Sequence, residues 1–317
     1  MRVIRQITMW LALALLSFPL SADPSAQELL AAGRVDEAIA RVQSDKAKDA
    51  ASYNLLCRAY FSLSEWDRSV GAGEQAVGLD PSNSRYHLWL GRAYGEKAAH
   101  SKFLAAAGLA KKVRAEFETS VRLSPDSVDA RTDLAEFYLE APAIVGGGRD
   151  KAEAEARSLE ELDPAKALWV QARIAQKHQD LATAEKDYRA AIAASHGSAN
   201  AWLNLALFYH HAGRLDEMQD AINHAAAAAM NQPAVLMEGA EVLIRAGRDF
   251  PAAVRMLRRY LSNSTVEEAP AFKAHYLLGT VLEKQGDTQG AANEYRASLA
   301  LASGFSRAQE ALDRLNR

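Results

Sequence analysis

The chain has 317 residues, with 37 Lys and Arg against 40 Asp and Glu for a net charge of −3, and it is 49% hydrophobic but only 8% aromatic. The weak acidic balance excludes a basic stripe for nucleic acid, and the single cysteine, Cys57, excludes an internal disulfide framework or a multi-cysteine metal cluster. Sixty-four alanines, with no sustained run of alternating Val, Ile and Thr, exclude sandwiches, barrels and doubly wound α/β sheets and point to thin, closely packed helices.

Residues 1–22, MRVIRQITMWLALALLSFPLSA, have the order of a secretory signal: basic Arg2 and Arg5, an apolar stretch from Met9 to Leu16, a break at Pro19 and small Ser21 and Ala22. The apolar stretch is shorter than the roughly 20 residues of a bilayer span. Cleavage after Ala22 is expected, leaving 35 basic against 40 acidic residues in a periplasmic or secreted chain with no stable membrane span. An uncleaved N-terminal anchor is the alternative. A lone thiol in an oxidising compartment is best kept buried, so Cys57 is expected inside.

From residue 23 to 317 the chain repeats. Three phrases, Gly78-Leu79-Asp80-Pro81, Arg122-Leu123-Ser124-Pro125 and Glu161-Leu162-Asp163-Pro164, each close a helical run, because proline lacks an N–H and disfavours helix in the residue before it. Between them the helical period holds: Tyr53, Leu56, Cys57 and Tyr60 fall on one face. Tyr53-x-x-Leu56-Cys57-x-x-Tyr60 followed by Ser69, Gly73, Ala76 and Pro81 resembles the 34-residue tetratricopeptide repeat. His87, Leu90, Gly91, Tyr94 and Phe117 match again, as do Trp202, Leu205, Ala206 and Tyr209, and His275, Leu278, Gly279, Leu282 and Tyr295. Unit starts fall near 50, 84, 128, 165, 199, 233 and 272, with a partial unit before them and a capping helix, Arg307 to Asn316, after. The resemblance implies an all-α, right-handed superhelical solenoid of antiparallel helix pairs.

Small Cys57, Gly91, Ala135, Ala206 and Gly279 are expected to let paired helices approach, and Gly33, Gly213, Gly247 and Gly286 to make the turns with positive φ. The unit starting near 84 runs ten residues over length, with the excess around residues 95–112, so both of its helices are expected to extend past the turn. The next unit carries a non-helical insertion over residues 140–149. Its Gly146–Gly148 run enters a helix as an anion cradle would, but lacks the Gly-Lys-Ser/Thr ending and the preceding strand of a phosphate loop, and is expected to be a turn. Both insertions should share one rim and pack as a lip.

No catalytic constellation stands out. His210, His211 and His224 lack the spacing of a metal site, and the Glu153, Glu155, Glu160 and Glu161 run alternates with cations as a solvated face does. No cofactor and no metal are expected. The resemblance places the first helix of each unit along a concave groove, which would carry Asn54, Arg58, Phe61, Arg85, Leu88, Arg92, Trp169, Arg173, Leu203 and His210 as peptide-binding residues. Arg58 and Arg92 would hold acidic or C-terminal groups and Trp169 would anchor, although the full Lys, Asn and Arg set of a carboxylate clamp is missing. The function implied is a non-catalytic protein–protein scaffold in the bacterial periplasm, serving envelope assembly or export, with protein or peptide partners bearing acidic segments. The second reading is an accessory subunit of an enzyme, or of a secretion or polysaccharide-export complex, with its site in the 95–112 or 140–149 insertion.

Overall fold

Short polar side chains start the helices. Asp49, Ser127, Asp163, Asp180, Ser198 and Asp287 each accept a hydrogen bond from the N–H three residues on, satisfying a donor that the first helical turn leaves open. In the computed structural model, which describes residues 24–263 and 265–316, the result is seventeen α-helices, and the only strand-like pairing among the described residues is an isolated bridge between Val266 and Ala269. The signal reading for residues 1–22 lies outside the described residues.

The helices pair as antiparallel hairpins: α1 (Ala26–Ala31) with α2 (Val35–Ser44), α3 (Ala50–Ser62) with α4 (Trp66–Leu79), and α5 (Ser84–Ala99) with α6 (Phe103–Leu123). Then come α7 (Val128–Glu140) with α8 (Arg149–Leu159), α9 (Pro164–Lys177) with α10 (Leu181–Ala194), and α11 (Ala199–His211) with α12 (Leu215–Ala228). The series ends with α13 (Ala234–Ala246) and α14 (Phe250–Leu261), α15 (Ala271–Lys284) and α16 (Thr288–Leu301), and the capping α17 (Ser306–Leu315). First helices touch first helices of neighbouring units, as in α3 with α5, α7 with α9 and α11 with α13, so they form the inner layer. The proline phrases end α4 and α6 as expected. The third does not: α8 stops at Leu159, and Pro164 opens α9, where its missing N–H costs nothing.

Close approach within hairpins explains the small residues. A Cβ on Gly91 would stand 2.5 Å from the Phe117 ring, and one on Gly279 would stand 2.6 Å from the Tyr295 ring. Cys57 is fully buried and bonded to Ser69, and burial pushes its thiol up to about 11, so it is inert.

The two ends of the series meet. Gly33, at φ 72°, turns α1 into α2 so tightly against α15 that a Cβ there would lie 2.6 Å from the Ala271 nitrogen. The turn over Thr265–Ala269, pinned by the Tyr260 hydroxyl, which accepts from the Val266 N–H at 3.0 Å, reaches across: Thr265 Oγ1 donates to the Ala31 carbonyl at 3.2 Å. The Ser303 N–H donates to Asp36 Oδ2 at 2.7 Å, and α16 touches α2. Phe272 and Phe305, buried and edge-to-face at 5.0 Å, belong to the same core as Leu29, Leu30 and Leu63. Contacts therefore run from α1 to α17 and back to α1, a closed circuit.

Of the insertions, α5 and α6 reach 16 and 21 residues where most other units have helices of 13 or 14, so the hairpin is extended on both arms. The second insertion makes a 3₁₀ turn, Ala143–Val145, that packs against α6. Its glycines are close-packed: a Cβ on Gly146 would collide with the Arg114 guanidinium. The N–H groups of Gly146, Gly147 and Gly148 are taken by the carbonyls of Ala143, Pro142 and Tyr138, which leaves no anion cradle.

Glu185 ties α10 to the next unit, accepting from Tyr209 Oη at 2.7 Å, Arg189 at 3.0 Å and Arg214 at 2.5 Å. The bond from Arg214, with those from Tyr209 and Arg189, holds its carboxyl down to about 2. Glu185→Gln should cost roughly 1–3 kcal/mol near neutral pH. A depressed carboxyl stabilises above its unfolded value near 4.5, so urea titrations should show that cost fading as pH falls from 4.5 towards 2. Gly91→Ala and Gly279→Ala should each destabilise by about 1–3 kcal/mol through overpacking. Gly71→Ala, on an open face of α4, should instead gain about 0.5–1 kcal/mol of helix propensity, as read by thermal melts.

Candidate functional site

Two clefts of the inner layer hold expected site residues. The first, of about 570 Å³, lies between the α1–α2 hairpin and the N-terminal ends of α3 and α5, and is lined by Arg41, Asn54, Arg58, Arg85 and Tyr86 among others. Asn54 is 2% exposed, and its Nδ2 donor has no partner. Arg58 beside it is 5% exposed and already holds a carboxylate: Nε donates to Glu267 Oε1 at 2.6 Å, Nη2 donates to Oε2, and Gln27 donates to the same group at 3.3 Å. Glu267 comes from the turn that closes the circuit.

The expected basic cluster is therefore divided. Asn54, Arg58 and exposed Arg85 share the first cleft, but Arg92 turns away and donates to Asp133 Oδ2 at 2.6 Å. Trp89 separates the two arginines, with the Arg58 guanidinium 5.7 Å and the Arg92 guanidinium 4.9 Å from its ring centre. Phe61 packs edge-on against Trp66 and Trp89 at 5.5 and 5.6 Å, so it supports this aromatic cluster.

The second cleft lies along α9 and α11. A recess of about 150 Å³ lined by Glu136, Trp169, Arg173, Asn204, Leu207 and His211 adjoins one of about 290 Å³ lined by Glu140, Lys177, Gln179 and Leu181, and both share Arg173, Gln176, Phe208 and His211. Arg173 donates to Glu140 at 3.2 Å and lies 3.5 Å from Glu136, while its buried Nε has no partner. Trp169 and Arg173 thus come together as expected. Three residues are corrected. Leu88 and Leu203 are buried in the two cores, because each lies on the side of its helix that packs on neighbouring helices. His210 packs edge-on to His211 at 5.8 Å, and His211 is the one that lines the cleft. Burial, with His211 and Arg245 nearby, lowers the His210 pKa.

Further charges face the same interior. Burial raises the carboxyls of Asp133 and Glu136 above the usual range, although Arg92 opposes it at Asp133 and Arg173 at Glu136. Burial lowers the Lys273 ammonium, helped by Arg307. Their signal was available: Asp129, Asp133, Glu136 and Glu140 make an acidic stripe at helical spacing on α7, and Lys166, Arg173 and Lys177 a basic one on α9. His224 stacks on Trp202 at 4.3 Å. Among the described residues, no group of three or more His, Cys, Asp and Glu is placed to hold a metal ion, and no helix is long and apolar enough to cross a membrane.

The tetratricopeptide repeat family model matches residues 170–233 and 238–304. Among solved structures, a tetratricopeptide repeat protein from Parabacteroides merdae is 14% identical, covering 84% of this chain and 99% of that chain with a TM-score of 0.43. A thermophilic TPR protein in Thermus thermophilus is 18% identical, covering 67% of this chain and 92% of that chain, also with a TM-score of 0.43. Comparison with curated proteins gives no match.

Arg58 is buried and Glu267 is largely covered, so removing either partner leaves the other charge poorly solvated. Arg58→Met and Glu267→Leu should each cost about 3 kcal/mol or more in urea unfolding, while the double variant should cost less than either single one.

Proposed function

From the premise that this chain is a member of the tetratricopeptide repeat family, we propose that it is a non-catalytic scaffold in the bacterial periplasm that holds an extended segment of a partner protein along its inner clefts. The observation that carries this reading is that buried donors without partners, Asn54 Nδ2 and Arg173 Nε, line the two clefts. An unpaired buried donor costs about 1–3 kcal/mol, and a peptide carbonyl or carboxylate is the acceptor that would relieve it. The first cleft carries both signs of charge, Arg41, Arg58 and Arg85 against Asp45 and Asp49, and Arg58 is already paired with Glu267, so exposed Arg41 and Arg85 are the cations left to meet an acidic group of a bound segment. Trp169, half-buried beside Arg173, offers the aromatic anchor. Envelope assembly or export is the setting that the signal-like residues 1–22 favour.

A photocrosslinking residue at Asn204 should trap a polypeptide in vivo, in a chain that fractionates with the periplasm and begins at Asp23. Arg85→Glu and Trp169→Ala should each weaken capture roughly 5- to 30-fold, about 1–2 kcal/mol, and added salt should reduce the effect of the Arg85 change. Capture that is indifferent to both substitutions would retire the reading.

A further inference from the structure

The extended α5–α6 hairpin has a tip unlike the rest of the surface. Phe103 and Leu104 are 84% and 86% exposed, side by side in the first turn of α6, in a chain whose other aromatic and large aliphatic residues are mostly buried. Single exposed apolar residues need no explanation, but two adjacent ones held out at the end of an extended hairpin do. The tip is also basic. From Gly95 to Arg114 the hairpin carries Lys97, Lys102, Lys111, Lys112 and Arg114 against one acid, Glu96, although the whole chain is acidic. Lys97, Lys112 and Arg114 pair with Asp67, Glu74 and Glu118, while Lys102, beside the apolar turn, and Lys111, two turns along α6, are exposed.

We propose that this tip docks on an anionic phospholipid bilayer, with Phe103 and Leu104 entering the interfacial layer and Lys102 and Lys111 meeting the head-group phosphates. Three features select a bilayer over a protein groove. Lys102, Phe103, Leu104 and Ala105 are consecutive and all exposed, so the apolar group is presented end-on rather than as the i, i+3, i+4 stripe that a partner groove takes. A fluid interface accepts that presentation from any side. Lys102 adjoins Phe103, and Lys111 follows Leu104 by seven residues on the same face of α6, a placement that complements a negatively charged surface and adds to apolar insertion. The extension has a rigid base: Arg114 of α6 packs against the Gly146 turn, which fixes the hairpin against the next unit instead of leaving it to swing. Docking through this tip leaves the inner clefts open, so it is independent of the peptide-binding proposal.

The test uses the full chain and vesicles of phosphatidylcholine with and without phosphatidylglycerol. Cosedimentation with the anionic vesicles should fall roughly tenfold or more in Phe103→Ser/Leu104→Ser and in Lys102→Glu/Lys111→Glu, and should weaken with added salt. Circular dichroism and the melting temperature of both variants should match the parent, since all four side chains are exposed. Comparing variants of one chain cancels any contribution of residues 1–22. A polarity-sensitive fluorophore on Phe103→Cys, the native Cys57 being buried, should shift to the blue on anionic vesicles, while the same label on Glu310→Cys of α17 should not. Equal binding by parent and variants, no spectral shift at 103, or a dimer that disappears with Phe103→Ser/Leu104→Ser would each overturn the proposal.

Discussion

The contact between the two ends of the chain governs the rest of the structure. An open repeat array is stabilised unit by unit through neighbour contacts alone. Here Phe272 and Phe305 sit in the core of the first units, and the Thr265–Ala269 turn lays Glu267 on Arg58. The apolar contacts supply the stabilisation. The ion pair is better understood as setting register, since the desolvation of two largely covered charges offsets most of their attraction. Gly33 shows how little slack there is: its lack of a side chain is what lets α15 approach.

Packing between units then sets the electrostatics of the inner layer. Neighbouring units partly enclose the side chains of this layer, and burial is the leading influence on Asp133, Glu136 and Lys273. The chain answers with cross-helix pairing, the acidic stripe of α7 against the basic stripe of α9. Where pairing and packing are complete the interior is filled, as around Trp89. Where they are incomplete, at Asn54 and Arg173, the two clefts open.

Much of the fold was legible beforehand, and the reason is local. Inner helices begin at Ala50, Ser84, Val128, Pro164, Ala199, Ala234 and Ala271, each within one residue of the start read from the repeat phase. Helix period, proline joints and turn glycines act over a few residues and leave their mark in order along the chain. Gly91 and Gly279 were assigned close approaches because the repeat puts a small residue at that place in the first helix, and the rings of Phe117 and Tyr295 fill the space opposite. The site was less legible. Arg58 and Arg92 were read as a pair open to a ligand, yet each is engaged by an acid far away in sequence, Glu267 and Asp133, and no local pattern announces such partners. Leu88 and Leu203 occupy the same repeat position as Asn54 and Trp169, but packing between units buries the two leucines in the cores.

The composition with which the chain began, many alanines and few aromatics, by itself determined thin helices stacked in hairpins, because small side chains at helical spacing allow close approach and bury little else. It also determined the basic, apolar character of the 95–114 extension, since charge and hydrophobicity are properties of the residues themselves. Only the tertiary structure decided that the series closes on itself, which groove cations are already spent, and where unpaired donors face a cleft. Those outcomes depend on small rotations between units summed over the whole chain. A change of a few degrees per hairpin would part Glu267 from Arg58 without altering any local motif.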